Sequence, residues 1–514
     1  MARYRPYVPE QDRFLPVSLS RQIHPGTFEY TLHHLIDNSV DLSVFEGNYH
    51  NDEVGARAID PALLLKVVLL AYSRGILSSR RIAACCEENV LFMSLSADTR
   101  PHFTTIAQFV SSMGEQIISV FRDILTVCWT EGLIGKQMFA VDGCKISSNC
   151  AKEWSGTTAQ LRKKAQKLEE SVRALIGRHR EEDARGETPE HREQEKRKIE
   201  KLESKAKKIQ GWLAIHKERI GRQGKPVKSN ITDNESAKMP SGHGVIQGYN
   251  GIATVDSLHQ IVVDAQAIGE ASEASSLQKA IAGVRETFCV LGEKQDIFEQ
   301  VVLTADTGFH SEQSVRGVLE GGVDAYVADN GFRRRDPRFA GAQEYKKKSI
   351  DSAHTSRARK YFRTEDFRLD EATDSLVCPA GKRLSCHCPN FQSGPGGYRG
   401  RSYMGRAEDC AVCQLRGRCI RNPKTKARQV ARLEKGVRHG VKSFTQQMIE
   451  RFDTVRGRYF YSRRLGTVEP VFANIRSTLG MDRFTLRGNE KVNIQWKLFC
   501  MVHNIAKIGR FATL

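Results

Sequence analysis

The sequence predicts an α/β protein, in which a buried mixed sheet flanked by helices follows an N-terminal helical domain and is interrupted by two insertions. Three observations carry this. Short apolar runs bounded by Gly and Asp recur along the chain, capped helix starts crowd the first quarter, and two long polar stretches separate the apolar runs. One of those stretches has a heptad pattern, and the other holds clustered cysteines.

The N-terminal domain is expected over residues 1–135. Asp60-Pro61 pairs a capping residue with proline at the first helical position, and an apolar run follows until Gly75. Further starts lie at Ser78-Ser79, ahead of Arg80, Arg81 and Ile82, and at Thr104-Thr105, ahead of Ile106 and Phe109. Short helices with Arg and Thr at their starts suit a helix-turn-helix reader of a DNA end; a bundle that only packs on the core is an equal reading.

From Phe139 the pattern changes to strands: Phe139-Ala-Val141, Gly251-Ile-Ala-Thr-Val255, Gln260-Ile-Val-Val-Asp264, Val301-Val-Leu-Thr-Ala305 and Ala325-Tyr-Val-Ala328. Such runs are buried strands, and they assign the catalytic core to residues 136–157, 228–330 and 451–514. The core closes with a helix carrying Val492, Ile494, Trp496, Leu498, Phe499, Val502 and Ile505. Residues 158–227 form the first insertion. Leu161, Ala165, Leu168, Val172 and Leu175, then Ile199, Leu202, Ala206, Ile209 and Leu213, step in fours and threes on either side of Gly186 and Pro189, which predicts an antiparallel helical hairpin. The second insertion, 331–450, is basic and contains six cysteines between Cys378 and Cys419.

The length of 514 residues sets a soft prior of about three domains. Lys and Arg number 79 against 60 Asp and Glu, a net charge of +19 that favours a polyanionic partner, nucleic acid foremost. A membrane-surface role would want an anchor or a long apolar span; the most apolar run, Ala62 to Tyr72, is short and interrupted by Lys66, so no membrane partner is expected. The start, Met1-Ala-Arg-Tyr-Arg-Pro6, lacks the apolar core of a secretory signal. A cytoplasmic, nucleoid-associated location with reduced cysteines is therefore expected. Cys85, Cys86, Cys128, Cys144, Cys150, Cys289 and Cys500 are scattered and read as small hydrophobes.

Three acids stand where apolar patterning meets a turn or a helix: Asp142 in Met138-Phe-Ala-Val-Asp-Gly-Cys-Lys145, Asp306 in Val301-Val-Leu-Thr-Ala-Asp-Thr-Gly-Phe-His310, and Glu469 in Thr467-Val-Glu-Pro-Val-Phe-Ala-Asn-Ile-Arg476. Phosphodiester chemistry needs an activated nucleophile, an in-line leaving oxygen and neutralised charge at phosphorus, and a pair of divalent metals supplies all three. Mg²⁺ takes only one or two carboxylates beside waters and phosphate oxygens, so three acids suffice for two ions. Each acid alone has a plainer reading. Asp142-Gly143 is a common turn pair, Asp306 suits a cap for the helix beginning near Ser311, and Glu469 suits a first-turn acid favoured by the helix dipole.

Specific motifs sharpen this. The chain resembles bacterial insertion-sequence transposases of the DDE class, within the IS4/IS5-like group and most like the IS1182 family. The resemblance rests on Ala140-Val-Asp-Gly-Cys-Lys-Ile146 with Asn149, Thr232-Asp-Asn-Glu-Ser-Ala-Lys-Met239, Gly248-Tyr-Asn250, Ala305-Asp-Thr-Gly-Phe-His-Ser-Glu312, Cys378-Pro-Ala-Gly-Lys382 and Val468-Glu-Pro-Val-Phe-Ala-Asn-Ile-Arg476. It implies an RNase H-like core in which Asp142, Asp306 and Glu469 are the catalytic residues and hold two Mg²⁺ or Mn²⁺ ions. Related transposases also carry Tyr, Arg, Glu and Lys spaced as Y-x2-R-x3-E-x6-K. Here Tyr461 and Arg464 keep their mutual spacing, Arg464 stands one residue too far from Glu469, and Arg476 stands in place of the lysine. Arg476 is expected to hold a phosphate as a fork, two helical turns beyond Glu469. Tyr461, Arg464 and Lys145 complete the expected substrate-binding residues; His310 and Asn474 read as packing and helix-surface positions.

The clustered cysteines include Cys410-x2-Cys413 and Cys419, preceded by Cys378, Cys386 and Cys388. A reducing setting favours metal over disulfide, and Cys378, Cys410, Cys413 and Cys419 are the expected ligands of a structural Zn²⁺. The expected activity is transposition: binding double-stranded DNA at element ends, hydrolysing the phosphodiester there and joining the end to target DNA, as a homodimer in the synaptic complex. The alternatives are an RNase H-like nuclease without strand transfer and a catalytically silent DNA-binding regulator.

Overall fold

The computed structural model describes residues 18–49, 57–183, 189–221, 224, 226–242, 244–339, 361–393, 398–438 and 441–512. The segment Met1–Pro6 and Gly186, used above, lie outside them. Helices α1 (Phe28–Asn38), α2 (Pro61–Ser73), α3 (Ser79–Glu88), α4 (Val90–Leu95), α5 (Phe103–Ser112) and α6 (Gln116–Thr130) lead into strand β1 (Met138–Ser147). After β2 (Ser155–Gly156) come helices α7 (Thr158–Asp183) and α8 (Pro189–Ile215), then β3 (Ser229–Asn230), β4 (Ala237–Ser241), β5 (Gly244–Asp256), β6 (Val262–Ile268), α9 (Ser276–Val290) and β7 (Val302–Ala305). Next are α10 (Glu312–Glu320), β8 (Ala325–Val327), β9 (Arg368–Asp370), β10 (Ser375–Val377), β11 (Arg383–Gln392) and β12 (Tyr398–Gly405). The chain ends with α11 (Ala407–Ala411), α12 (Arg416–Cys419), β13 (Gln429–Arg438), β14 (Val441–Lys442), α13 (Phe444–Phe452), α14 (Val455–Ala473) and α15 (Asn489–Phe511).

The chain forms two compact units: Met1–Thr304 with Arg463–Leu514, and Ala305–Ser462. In the first, the strand order is β4-β5-β1-β7, with β6 also paired to β5. β1 and β5 are antiparallel, with Asp142 opposite Ala253 and Lys145 opposite Asn250. Glycine is required where the two strands close up: a Cβ at Gly248 would lie 2.1 Å from the Ile146 carbonyl oxygen. Gly251 leaves room for the Trp496 ring, whose Nε1–H donates to the Ile252 carbonyl at 2.9 Å.

Helix α15 is buried on nearly all sides and organises this unit. It packs against α1, α2 and α6 and against β6, with Tyr72 and Phe499 at a ring separation of 5.0 Å. Toward β6 it closes an exposed strand edge. The Asn504 carboxamide accepts from the Val262 N–H and donates to the Val262 carbonyl, both at 2.9 Å, and Asn493 does the same at Ala267, both at 2.8 Å. These side chains satisfy backbone groups that would otherwise form an open edge. Asn504→Ala would leave two buried groups without partners, so we expect a loss of about 2–4 kcal/mol in urea unfolding; a loss under about 0.5 kcal/mol, the level of an ordinary surface change, would refute this role.

The N-terminal helices follow local signals. Asp60 caps α2 through the Ala62 N–H at 2.8 Å, with Pro61 at the first position. Lys66, which interrupts the apolar run, is buried and paired with Asp37 and with His33. α1, α4 and α6 supplement the three starts read from sequence; α6 begins without a side-chain cap. In α7 and α8 the heptad positions meet: Leu161 and Ala165 share a buried cluster with Ile209, Trp212 and Ile231.

In the second unit, the Ala328 N–H donates to the Ala305 carbonyl beside β8. Glu312 accepts from the Phe444 and Thr445 N–H groups and the Thr445 hydroxyl, placing its charge at the N-terminus of α13. Strands β14-β13-β12-β11-β10-β9 form an antiparallel sheet over a small core of Phe367, Leu376, Leu384, Tyr403 and Val430. The sequence reading assigned no strands there.

Candidate active site

Asp142 lies within β1, between β5 and β7. Its Oδ1 accepts the Gly143 N–H at 2.8 Å, and its Oδ2 accepts from Arg464 Nη1 at 2.8 Å. The Arg464 side chain is 6% exposed and that of Asp142 20%. Water therefore screens this pair poorly, and its geometry is held from both sides. Cys144 is two residues along and on the same face of the strand as Asp142. Burial pushes its thiol up to about 12, with Arg476 opposing the rise and Asp142 and Glu273 adding to it. The Asp142–Arg464 pair and Cys144 thus share one face of β1.

Lys145 is half-buried on the opposite face of β1, opposite Asn250. Asn250 is buried, donates to Glu273 at 3.0 Å, and has an Oδ1 with no hydrogen-bond partner. Gly143 makes room for it: a Cβ there would lie 3.0 Å from that oxygen. The sequence reading did not single out Glu273. It lies in a polar stretch, Gly269-Glu-Ala-Ser-Glu273, without periodicity to mark it.

Glu469 is not a first-turn acid; it lies well inside α14 and is exposed. Pro470 follows within the helix, and a proline cannot donate to the carbonyl four residues earlier. That carbonyl, of Gly466, instead accepts from Gln260 Nε2 at 2.9 Å. Arg464 and Glu469 are five residues apart, about 140° around an α-helix, so the helix presents its cation rather than Glu469 to Asp142. A π-helical turn, Asn474–Thr478, then carries Arg476. This turn changes the two-turn register between Glu469 and Arg476 that the spacing implied. Arg476 lines an open cavity of about 390 Å³ with Phe472, Ala473, Ser477 and Asp482. Asn474 donates to the imidazole of buried His503 at 2.9 Å, so it is a packing contact.

Asp306 belongs to the second unit and follows Thr304 of the first by two residues. Its Oδ1 accepts the Gly308 N–H at 2.8 Å and so caps the turn Thr307–Phe309; α10 has its own cap in Ser311. Burial lowers the pKa of His310, and its Nε2 has no hydrogen-bond partner. Tyr461 packs edge-on against Phe332 and Phe452 at 5.2 and 4.9 Å.

Among the described residues, no three His, Cys, Asp or Glu side chains stand together as a preformed metal cage. The carboxylate oxygens of Asp142, Asp306 and Glu469 are of the donor type that a hard divalent cation takes alongside water and phosphate. No helix among the described residues is long and apolar enough to cross a membrane.

Residues 377–509 match the family model of the transposase DDE domain, and residues 17–112 match that of a transposase domain, DUF772. The first span contains Tyr461, Arg464, Glu469 and Arg476 together with the clustered cysteines; Asp142 and Asp306 lie outside both spans. A comparison with curated proteins finds no match. The two matches together are consistent with an insertion-sequence DDE transposase, and the pair is typical of the IS1182 family. The DDE domain implies an RNase H-like core, and the family implies a DNA-acting enzyme that uses a divalent metal.

Proposed function

We propose that this transposase binds the ends of its element as double-stranded DNA, hydrolyses one phosphodiester bond at each end, and uses the freed 3′ hydroxyl to attack target DNA. In the first step water adds to phosphorus and the 3′ oxygen leaves with a proton. In the second, that hydroxyl adds to a target phosphorus and displaces the target strand's own 3′ oxygen. Asp142, Asp306 and Glu469 are the proposed ligands for two Mg²⁺ or Mn²⁺ ions. Such ions, when bound, lower the pKa of the attacking water and neutralise charge on the phosphate oxygens.

The observation that carries this reading is the Asp142–Arg464 pair on β1, on the helix that also bears Glu469. A half-buried carboxylate held by a buried guanidinium would be a ligand kept in place by a cation of the protein itself. Arg464 orients Asp142 before metal arrives and then offers its charge to a phosphate oxygen. Arg476, exposed beside its cavity, is placed to clamp a second phosphate. Helices α3 and α5, with exposed Arg80 and Arg81, would read the element end. Two ends must be held for joining, which requires at least a dimer in the active complex.

The test is incubation of the purified chain with labelled element ends and a target plasmid in Mg²⁺ or Mn²⁺. Joined products establish strand transfer. Cut ends without joined products would instead establish a nuclease, and DNA binding without cutting would establish a regulator.

A further inference from the structure

The cysteine-bearing sheet of the second unit has a feature that phosphoryl transfer does not use. Cys378, Cys410, Cys413 and Cys419 all line a single cavity of about 40 Å³. The other two clustered cysteines, Cys386 and Cys388 on β11, do not line it. These are the four singled out from their spacing, and the fold brings all of them, but neither Cys386 nor Cys388, to the cavity. We infer that this cavity is a structural Zn²⁺ site with those four thiolates as its ligands.

Three observations support the assignment. The Cys378 end is a tight turn in which the Lys382 N–H points at Cys378 Sγ at 3.3 Å, the Cys378 N–H donates to the Lys382 carbonyl, and Gly381 adopts a φ of +77°. An N–H aimed at sulfur steadies a thiolate, and the positive φ admits glycine with little strain. Gly405 lets the Cys410 thiol approach, because a Cβ there would lie 3.3 Å from its sulfur. Lys382, Arg383, Arg406, Arg416 and Arg428 surround the cavity and offset the two negative charges that four thiolates leave on a Zn²⁺ ion.

The four do not stand at coordinating distance as they are. A bound Zn²⁺ would draw the four sulfurs into a tetrahedron, so closing it would be part of the binding step. The fold also has a need for the ion. Among the described residues this sheet buries a small core of Phe367, Leu376, Leu384, Tyr403 and Val430, and small cores of this kind are commonly completed by a metal. The inference does not depend on the proposed reaction or on Asp142, Asp306 and Glu469.

The test is the metal content of the full chain produced with zinc in the medium. We expect about one Zn²⁺ per chain, lowered at least about tenfold by Cys410→Ser with Cys413→Ser. Content should be unchanged by Cys386→Ser with Cys388→Ser, and unchanged by Glu469→Gln, which separates this site from the acidic one. Should the first double variant fail to fold, the unmodified chain loaded with Co²⁺ must show thiolate-to-cobalt charge transfer and tetrahedral ligand-field bands. Absence of those bands, absence of zinc, zinc that survives loss of Cys410 and Cys413, or disulfides among the four would each overturn the site.

Discussion

Glu469→Gln is expected to lower cleavage of element ends by about 10³-fold or more, because losing one of the proposed metal-binding carboxylates would forfeit several kcal/mol of charge stabilisation in the transition state. The substitution preserves shape, and Glu469 is exposed inside α14, so the unfolding midpoint should stay within the scatter of a surface change, about 0.5 kcal/mol. That separation makes the measurement informative. Single-turnover cleavage of a labelled end, read beside a urea melt, reports chemistry and folding independently. Asp142→Asn should be as severe in cleavage, but it also strips the buried Arg464 of its counter-charge and should show in the melt. Undiminished cleavage by Glu469→Gln would remove Glu469 from the site, whatever the other two acids do.

Arg464→Met should destabilise the metal-free protein by about 3 kcal/mol, since it leaves the Asp142 carboxylate in a poorly solvated place without its cation. If Asp142 is a metal ligand, millimolar Mg²⁺ or Mn²⁺ should recover much of that loss in the variant and far less in the unmodified chain, because a bound cation then replaces the guanidinium. Adding Asp142→Leu to Arg464→Met should also recover stability, as a buried pair exchanged for apolar groups of similar volume is often neutral. A variant no less stable than the parent would show that the pair holds nothing. A variant destabilised but indifferent to divalent metal would show that Asp142 is structural.

Much of the core was legible because burial on both faces leaves little choice of residue. The runs at 139–141, 251–255, 260–264, 301–305 and 325–328 lie in or overlap β1, β5, β6, β7 and β8, where a polar side chain would need a partner inside the sheet. The sheet of β9 to β14 was illegible for the converse reason. β11 alternates exposed and half-buried positions in Arg383-Leu-Ser-Cys-His-Cys-Pro-Asn-Phe-Gln392, so it carries almost no apolar pattern. Pro470 misled in another way. It reads as a helix boundary, yet Gln260, 206 residues away, takes up the carbonyl it strands and the helix continues.

For this protein, the sequence alone determined the acids on offer, the strand runs of the core and the transposase motifs, because burial period, capping and turn chemistry act within a strand or a helical turn. Tertiary structure alone decided that Arg464 meets Asp142 across 322 residues of chain, and that Cys378, Cys410, Cys413 and Cys419 come to line one cavity. The physical reason is range. An ion pair or a ligand set depends on which elements pack side by side, and no local spacing encodes that.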